Sequence, residues 1–276
     1  MMTEARYTKG KLVLDTVMAL ASLIVLVPLL VVFFGAFKTS AEAIRFNMMP
    51  PLEWHPENFA VVFAKAKLGL AFWNSTQITV VVVGITTILC ALSGFIIARR
   101  NDRLSAFLNT YFSLGLIVPM AVVPTILVLQ FFHIMNTKTG LMLVMIASNI
   151  SWGMFILTNF IYTIPREMDE AALIDGCGPI RLFFTIILPM LKPVVLTNIV
   201  IVAMGTWNDL QTPLYLLNSS RNLTMPLTVY NFKGRYFSDW NLIFADLVLV
   251  ALPMIALYIL CQKYIVAGAT AGAVKG

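Results

Sequence analysis

Six apolar runs, at 13–36, 75–98, 107–131, 141–161, 193–216 and 241–262, dominate the chain and constrain its fold more than any other feature. The hydrocarbon core of a bilayer is about 30 Å thick, so a run of about 20 apolar residues reads as a helix that crosses it. In lipid, every backbone N–H and C=O must be bonded within the segment, which favours helix over any open strand. The second to the fifth runs together contain one formal charge, Asp209. Overall, 59% of residues are hydrophobic and only 12% are charged, against about 25% charged in soluble domains. A soluble enzyme, a disordered chain and a disulfide-stapled secreted domain are excluded. The expected fold is all-α, a polytopic membrane protein with six transmembrane helices.

The first run exceeds a signal-peptide core and is followed by no convincing cleavage site, so it reads as a retained helix. Arg6, Lys9 and Lys11 precede it, and Arg99, Arg100 and Arg103 crowd the tight second connection. Basic residues mark cytoplasmic segments. Both termini are therefore expected in the cytoplasm, and the net charge of +6 reads as membrane-facing rather than nucleic-acid-binding. The chain divides into 1–70 (N-terminal segment, first helix and external loop), 71–265 (transmembrane body) and a cytoplasmic tail, 266–276. Cys90, Cys177 and Cys261 are scattered and only His55 and His133 are present, so no metal site or redox pair is expected.

The connection at 162–192, on the cytoplasmic side in this topology, is far longer than joining two helices requires. Pro165 suits a first helical turn. Glu167, Asp169 and Glu170 then complement the positive end of the helix dipole, and Gly176 is a C-terminal stop. Gly178-Pro179 opens a second helix, in which Ile180, Phe183, Phe184 and Ile187 recur with helical period and form one apolar face. Pro189 and Pro193 break or kink the chain before the fifth run. A helix, a glycine corner and a second helix make a docking knob; periodicity alone equally allows an interfacial amphipathic turn.

Glu170-Ala171-Ala172, then Gly176, Ile186 and Leu188-Pro189, match every defined position of a loop signature. The chain thereby resembles the permease subunits of binding-protein-dependent ABC importers, with the MetI-like transmembrane core. Residues 262–276, Trp207-Asn208-Asp209, Pro119 and Pro124 are similar to the maltose-type, carbohydrate-uptake branch. Cys177 stands where many members have Ala.

The resemblance implies half of a translocation path in a bacterial or archaeal cell membrane. It also implies a second, related permease as a heterodimer partner, two copies of a cytoplasmic ATPase, and an extracytoplasmic solute-binding protein that delivers a sugar, of di- or oligosaccharide size. Glu170, Ala171, Ala172, Asp175, Gly176, Leu188 and Pro189 would couple this chain to the ATPase. The chain contains no G-x-x-x-x-G-K-[ST] phosphate cradle. It is expected to be no enzyme and to bind no cofactor, ATP and Mg lying on the partner.

A sugar needs hydroxyl-pairing groups beside an apolar face. Ser148, Trp152, Phe155 and Asn159 share one helical face of the fourth run, and Asn198, Trp207 and Asn208 lie on the fifth. These are the candidate path residues; the same polar groups equally serve as interhelical hydrogen bonds. The rival class is an ion-coupled carrier using Asp246 or Asp209, since intramembrane acids are functional candidates. Outside the bilayer, 37–74 reads as extended or turn-rich, and 217–240 as either a polar finger or a solvated connector. The tail reads as either a crevice-seeking segment or a free end.

Overall fold

The computed structural model describes residues 9–234 and 237–273. Every apolar run is helical, but not every run is one helix. Four helices are long and apolar enough to cross a membrane, over Val13–Gly35, Leu68–Arg99, Lys138–Tyr162 and Trp240–Gln262. These segments lie in α1 (Lys9–Gly35), α4 (Leu68–Arg99), α7 (Lys138–Tyr162) and α13 (Trp240–Ala273). The third run is interrupted. It forms α5 (Arg103–Leu114) and α6 (Val122–Phe131), and neither 12 nor 10 residues suffice for a span that needs about 20. The fifth run is α11 (Lys192–Asn208) followed by α12 (Gln211–Leu216).

The chain packs as two compact units, one comprising residues up to Leu68 with Thr228–Leu252, the other Gly69–Leu227 with the chain from Pro253. In the first unit, the most apolar stretch of α1 has a mean hydropathy of 3.0 and none of it is buried, so that surface is left for lipid or another chain. Its C-terminal end is tied down. Asn58 Nδ2 donates to the carbonyls of Ala36 and Lys38 at 2.9 and 3.0 Å, and Asn241 donates to Asn58 Oδ1 at 3.0 Å. The bond to Ala36 O occupies a carbonyl at the end of the helix, and the bond to Lys38 O holds the turn that follows it. Gly35 lies so close to Phe244 that a Cβ would strike the ring.

The region after α1 was expected to be extended or turn-rich, but it contains two short helices, α2 (Ser40–Ala43) and α3 (Glu57–Lys65). Thr39 and Glu42 form a reciprocal capping box at α2, a device that satisfies two orphan N–H groups at once. Lys38 is buried and donates to Asn47 Oδ1 at 2.8 Å. Loss of water lowers the pKa of its ammonium, and the nearby Glu42 charge works against that shift.

In the second unit, α7 packs against α5, α11 and α12. One apolar cluster, containing Leu157, Ile161, Ala172, Leu182, Phe183, Ile187 and Leu191, joins the end of α7 to the loop that follows it. A second contains Ile78, Val82, Leu141, Met145, Val202 and Leu216. Near that second cluster the chain is secured by polar bonds. Asn74 Nδ2 donates to the carbonyls of Arg221 and Leu223 at 2.9 and 3.0 Å, and Lys138 donates to Gln77 Oε1 at 2.8 Å. The Asn218 N–H donates to Asn136 Oδ1 at 2.7 Å, and the Met225 N–H to Ser75 Oγ at 2.8 Å. Residues 218–225 therefore lie against the starts of α4 and α7. The backbone of α13 stays helical through Ala273, so the tail seen in the sequence from residue 266 continues the last helix as far as that residue.

Candidate functional site

The loop after α7 begins with α8 (Glu167–Ile174), whose first turn carries Glu167, Asp169 and Glu170. Pro165 lies just ahead of it. Gly176 has φ +78°, the left-handed conformation that glycine adopts without penalty. The Gly176 N–H donates to Leu173 O at 3.0 Å and the Cys177 N–H to Ala172 O at 2.9 Å. This pair of bonds is the Schellman closure of a helix. The corner predicted from the sequence is thus present, and its geometry explains why Gly stands there.

The second helical stretch departs from expectation. It is α9 (Pro179–Leu182), a π-helical turn (Phe183–Ile187) and α10 (Leu188–Met190). Pro189 lacks the N–H that would bond the preceding turn, and a π-turn is one way to absorb that loss. The predicted single apolar face is split. Phe183 and Ile187 are buried, whereas Ile180 is 75% exposed and Phe184 55% exposed. Ile180 and Phe184, with Gly178, Pro179 and Arg181, line an open concavity of about 450 Å³. Ile174 is 85% exposed. Large apolar side chains exposed together on a short loop offer a contact surface.

The expected loop residues divide by depth. Ala172 is buried in the apolar cluster. Glu170, Ala171, Asp175, Gly176 and Pro189 are exposed, and Leu188 is half-buried. The stretch Pro179–Met190 and α11 meet at a 75° bend at Leu191, with Pro193 in the first turn of α11.

Arg99, read in the sequence only as a topology marker, belongs to this site. Its Nε lies 2.5 Å from Asp169 Oδ2, and Nη2 donates to Oδ1 at 3.3 Å. Its Nη1 donates to Ile164 O at 3.1 Å and lies 3.5 Å from Ile161 O. In return Arg166 Nη2 donates to Ala98 O at 3.3 Å. Spacing could not reveal a pairing across 70 residues; the available hints were a cation at a helix C-terminus and an acid next to the signature Glu.

The candidate path residues separate into two environments. Ser148, Phe155 and Asn159 are exposed and Trp152 is half-buried, along one open face of α7. Ser148 and Asn159 donate to carbonyls of their own helix, at Val144 and Phe155. Trp152 and Phe155 place their rings 6.5 Å apart. Beside this face, the interruption at 115–121 forms a concavity of about 560 Å³ lined by Gly115, Met120, Ala121, Thr125, Ser148 and Ser151 among others. The sequence predicts one continuous span over 107–131; the break between Leu114 and Val122, which contains Pro119, corrects it.

Asn198 and Trp207 are not on that face. Asn198 is fully buried and donates to Thr87 Oγ1 at 3.2 Å, joining α11 to α4. Trp207 is buried with its ring 5.7 Å from that of Phe72. Asn208 is exposed at the end of α11.

Both intramembrane acids have local structural partners. Asp209 Oδ1 accepts the Thr212 N–H at 2.9 Å and so caps α12. Asp246 is fully buried, with both carboxylate oxygens 3.0 Å from Thr228 Oγ1.

Residues 90–270 match the family described as "Binding-protein-dependent transport system inner membrane component". The chain is 32% identical over 94% of its length to the multiple sugar-binding transport system permease protein MsmG of Streptococcus mutans, covering 95% of that protein. It is 31% identical over 91% of its length to the diacetylchitobiose uptake system permease protein NgcG of Streptomyces coelicolor, covering 84% of it. A chain from the crystal structure of a bacterial ABC transporter involved in import of the acidic polysaccharide alginate superposes with a TM-score of 0.79. That match is 18% identical and covers 96% of this chain and 99% of the other. These likenesses do not favour the ion-coupled carrier.

Proposed function

Because this chain belongs to the binding-protein-dependent transport-system inner-membrane family, we propose that it forms one half of the translocation path of an ATP-driven sugar importer. The chain is a multi-pass membrane protein and a transport subunit, not an enzyme; ATP is hydrolysed by a separate ATPase. Importers of this family combine permease, ATPase and solute-binding protein. The finer reading is a heterodimer with a second, related permease above two ATPase copies, in a bacterial or archaeal cell membrane. Both termini and the 162–192 loop face the cytoplasm. This chain holds no cofactor; ATP and Mg occupy the partner ATPase. The relatives' named substrates support a di- or oligosaccharide.

The observation that carries the reading is the loop's division into two surfaces. One surface, through Ala172, Phe183 and Ile187, is buried in the same apolar cluster as the end of α7. The other presents Glu170, Ile174, Ile180 and Phe184 outward. An outward surface mounted on the span ends is what a coupling element needs: a partner pushes one side and the spans follow the other. Glu170, Ala171, Asp175 and Gly176 form the part facing the ATPase; Ala172, Leu188 and Pro189 hold its shape.

The sugar path runs along the open face of α7, past Ser148, Trp152, Phe155 and Asn159, and beside the break at 115–121. Irregular backbone at membrane depth is tolerated where it lines a wet cavity or is buried in protein. Asn208 stands at the exposed end of α11, while Asn198 and Trp207 support the wall from behind.

The test is purification of the tagged chain from its native membrane, followed by uptake in proteoliposomes. A second permease and an ATPase should co-purify, mass spectrometry should find bound sugar, and vanadate should block uptake. Uncoupler-sensitive, vanadate-insensitive uptake would instead establish a secondary carrier.

A further inference from the structure

We infer that the Arg99–Asp169 pair is the joint through which the coupling loop moves the second span, α4; this rests on the function proposed above. The fourth and fifth spans need no such joint, because the loop is covalently continuous with both. Asp169 and Arg99, by contrast, are 70 residues apart in the chain. What links the loop to α4 is an apolar contact surface and a reciprocal pair of arginines. The apolar part includes Ile97 and Ala98 of α4 in one cluster with Ala172, Leu182 and Phe183, and the Phe95 and Phe183 rings 5.4 Å apart. Such contacts are non-directional and allow sliding.

The polar part fixes direction. Arg99 reaches from the end of α4 to the Asp169 carboxylate and to the last carbonyls around α7, while Arg166 reaches back to Ala98 O. The Arg99 and Asp169 side chains are only 12% and 14% exposed, so water and salt screen them far less than a surface pair. Arg suits this place because its planar fork bonds a carboxylate and carbonyls together, which a lysine ammonium matches poorly. Three elements (α4, the end of α7 and α8) thus converge on one guanidinium. Arg99 and Asp169 are positioning residues; neither need touch sugar or ATP.

The experiment uses the intact importer in proteoliposomes, comparing wild type with Arg99→Gln, Asp169→Asn and Arg99→Lys. The quantity read is sugar transported per ATP hydrolysed, alongside the amount of ATPase that co-purifies. A joint predicts normal co-purification, continued ATP hydrolysis, and a fall in sugar per ATP. The fall should lie within about 5- to 150-fold, the range of typical coupling between sites. Arg99→Lys should be intermediate. If Arg99→Gln does not assemble, Arg99→Lys decides alone: a lowered ratio supports the joint and a normal ratio overturns it. A ratio unchanged in assembled variants, with uptake and hydrolysis falling together, reduces the pair to a structural brace and overturns the inference. Failure of the wild-type chain to co-purify an ATPase would instead overturn the importer reading on which the inference rests.

Discussion

Replacing Gly176 tests the corner without disturbing anything packed around it. A Cβ built at Gly176 meets no atom within 4 Å, so side-chain bulk has nothing to strike. The whole penalty lies in φ, which is +78°, and for an L-residue that conformation costs about 1–2 kcal/mol. Relaxing φ to a negative value offers no escape. It would break the two closing bonds of α8, from the Gly176 and Cys177 N–H groups, each worth about 0.5–1.5 kcal/mol. At about 1.4 kcal/mol per tenfold, the native corner should lose occupancy by about 5- to 30-fold. The spans are unaffected, because no residue of the apolar cluster is touched. Gly176→Val should retain or partly retain the ATPase yet lose sugar-stimulated hydrolysis in proteoliposomes. Gly176→Ala should be intermediate, and Gly176→Asn the mildest, since Asn tolerates left-handed φ. Asn is larger than Ala, so an order of damage that follows volume would refute the backbone argument. Normal co-purification and normal stimulation in Gly176→Val would refute the coupling role itself.

Three further outcomes are expected. Glu170→Lys should release the ATPase, since losing one charge-assisted hydrogen bond of about 1.5–3 kcal/mol weakens docking about 10- to 150-fold; unchanged co-purification would remove Glu170 from the contact. Half-buried Cys177 should react in intact cells with a membrane-permeant thiol reagent and resist an impermeant one, and labelling from outside would invert the topology. Asn159→Leu should lower uptake while the complex still assembles, whereas Asn198→Leu should lower the amount of assembled complex, because it leaves Thr87 without its buried partner; equal behaviour of the two would remove the distinction between path and wall.

Apolar length located four spans and the bent fifth, because lipid admits no alternative to internal bonding, but it overcounted at 107–131, whose two helices are each too short to cross. It did not locate the interruption at 115–121, since hydropathy is the same whether a run is continuous or broken. The prolines at 119 and 124 were the local signal. The Gly176 corner was legible because a helix stop is written in one residue. The face of the second loop helix was misread because periodicity groups apolar residues without saying which of them turn inward: Leu182, Phe183 and Ile187 do, and Ile180 and Phe184 do not. Thr39 and Glu42 carried a capping box at the right spacing, and the prolines downstream obscured it. Asn198 and Trp207 are buried, and the rotation of α11 about its axis that places them there is not specified by the sequence. Arg99 needed tertiary structure to find its acid.

In the proposed importer, the 75° bend between Pro179–Met190 and α11 would act as a bell-crank. With 17 residues rising about 1.5 Å each, α11 is an arm of about 25 Å. A turn of about 10° at the elbow would sweep its far end through about 4 Å. Leverage works in both directions: a misplacement of a few tenths of an ångström beneath the loop is magnified at the outer end of the arm. The tolerance of such a lever would therefore be set at its smallest feature, the exposed side chains of Ile174, Ile180 and Phe184.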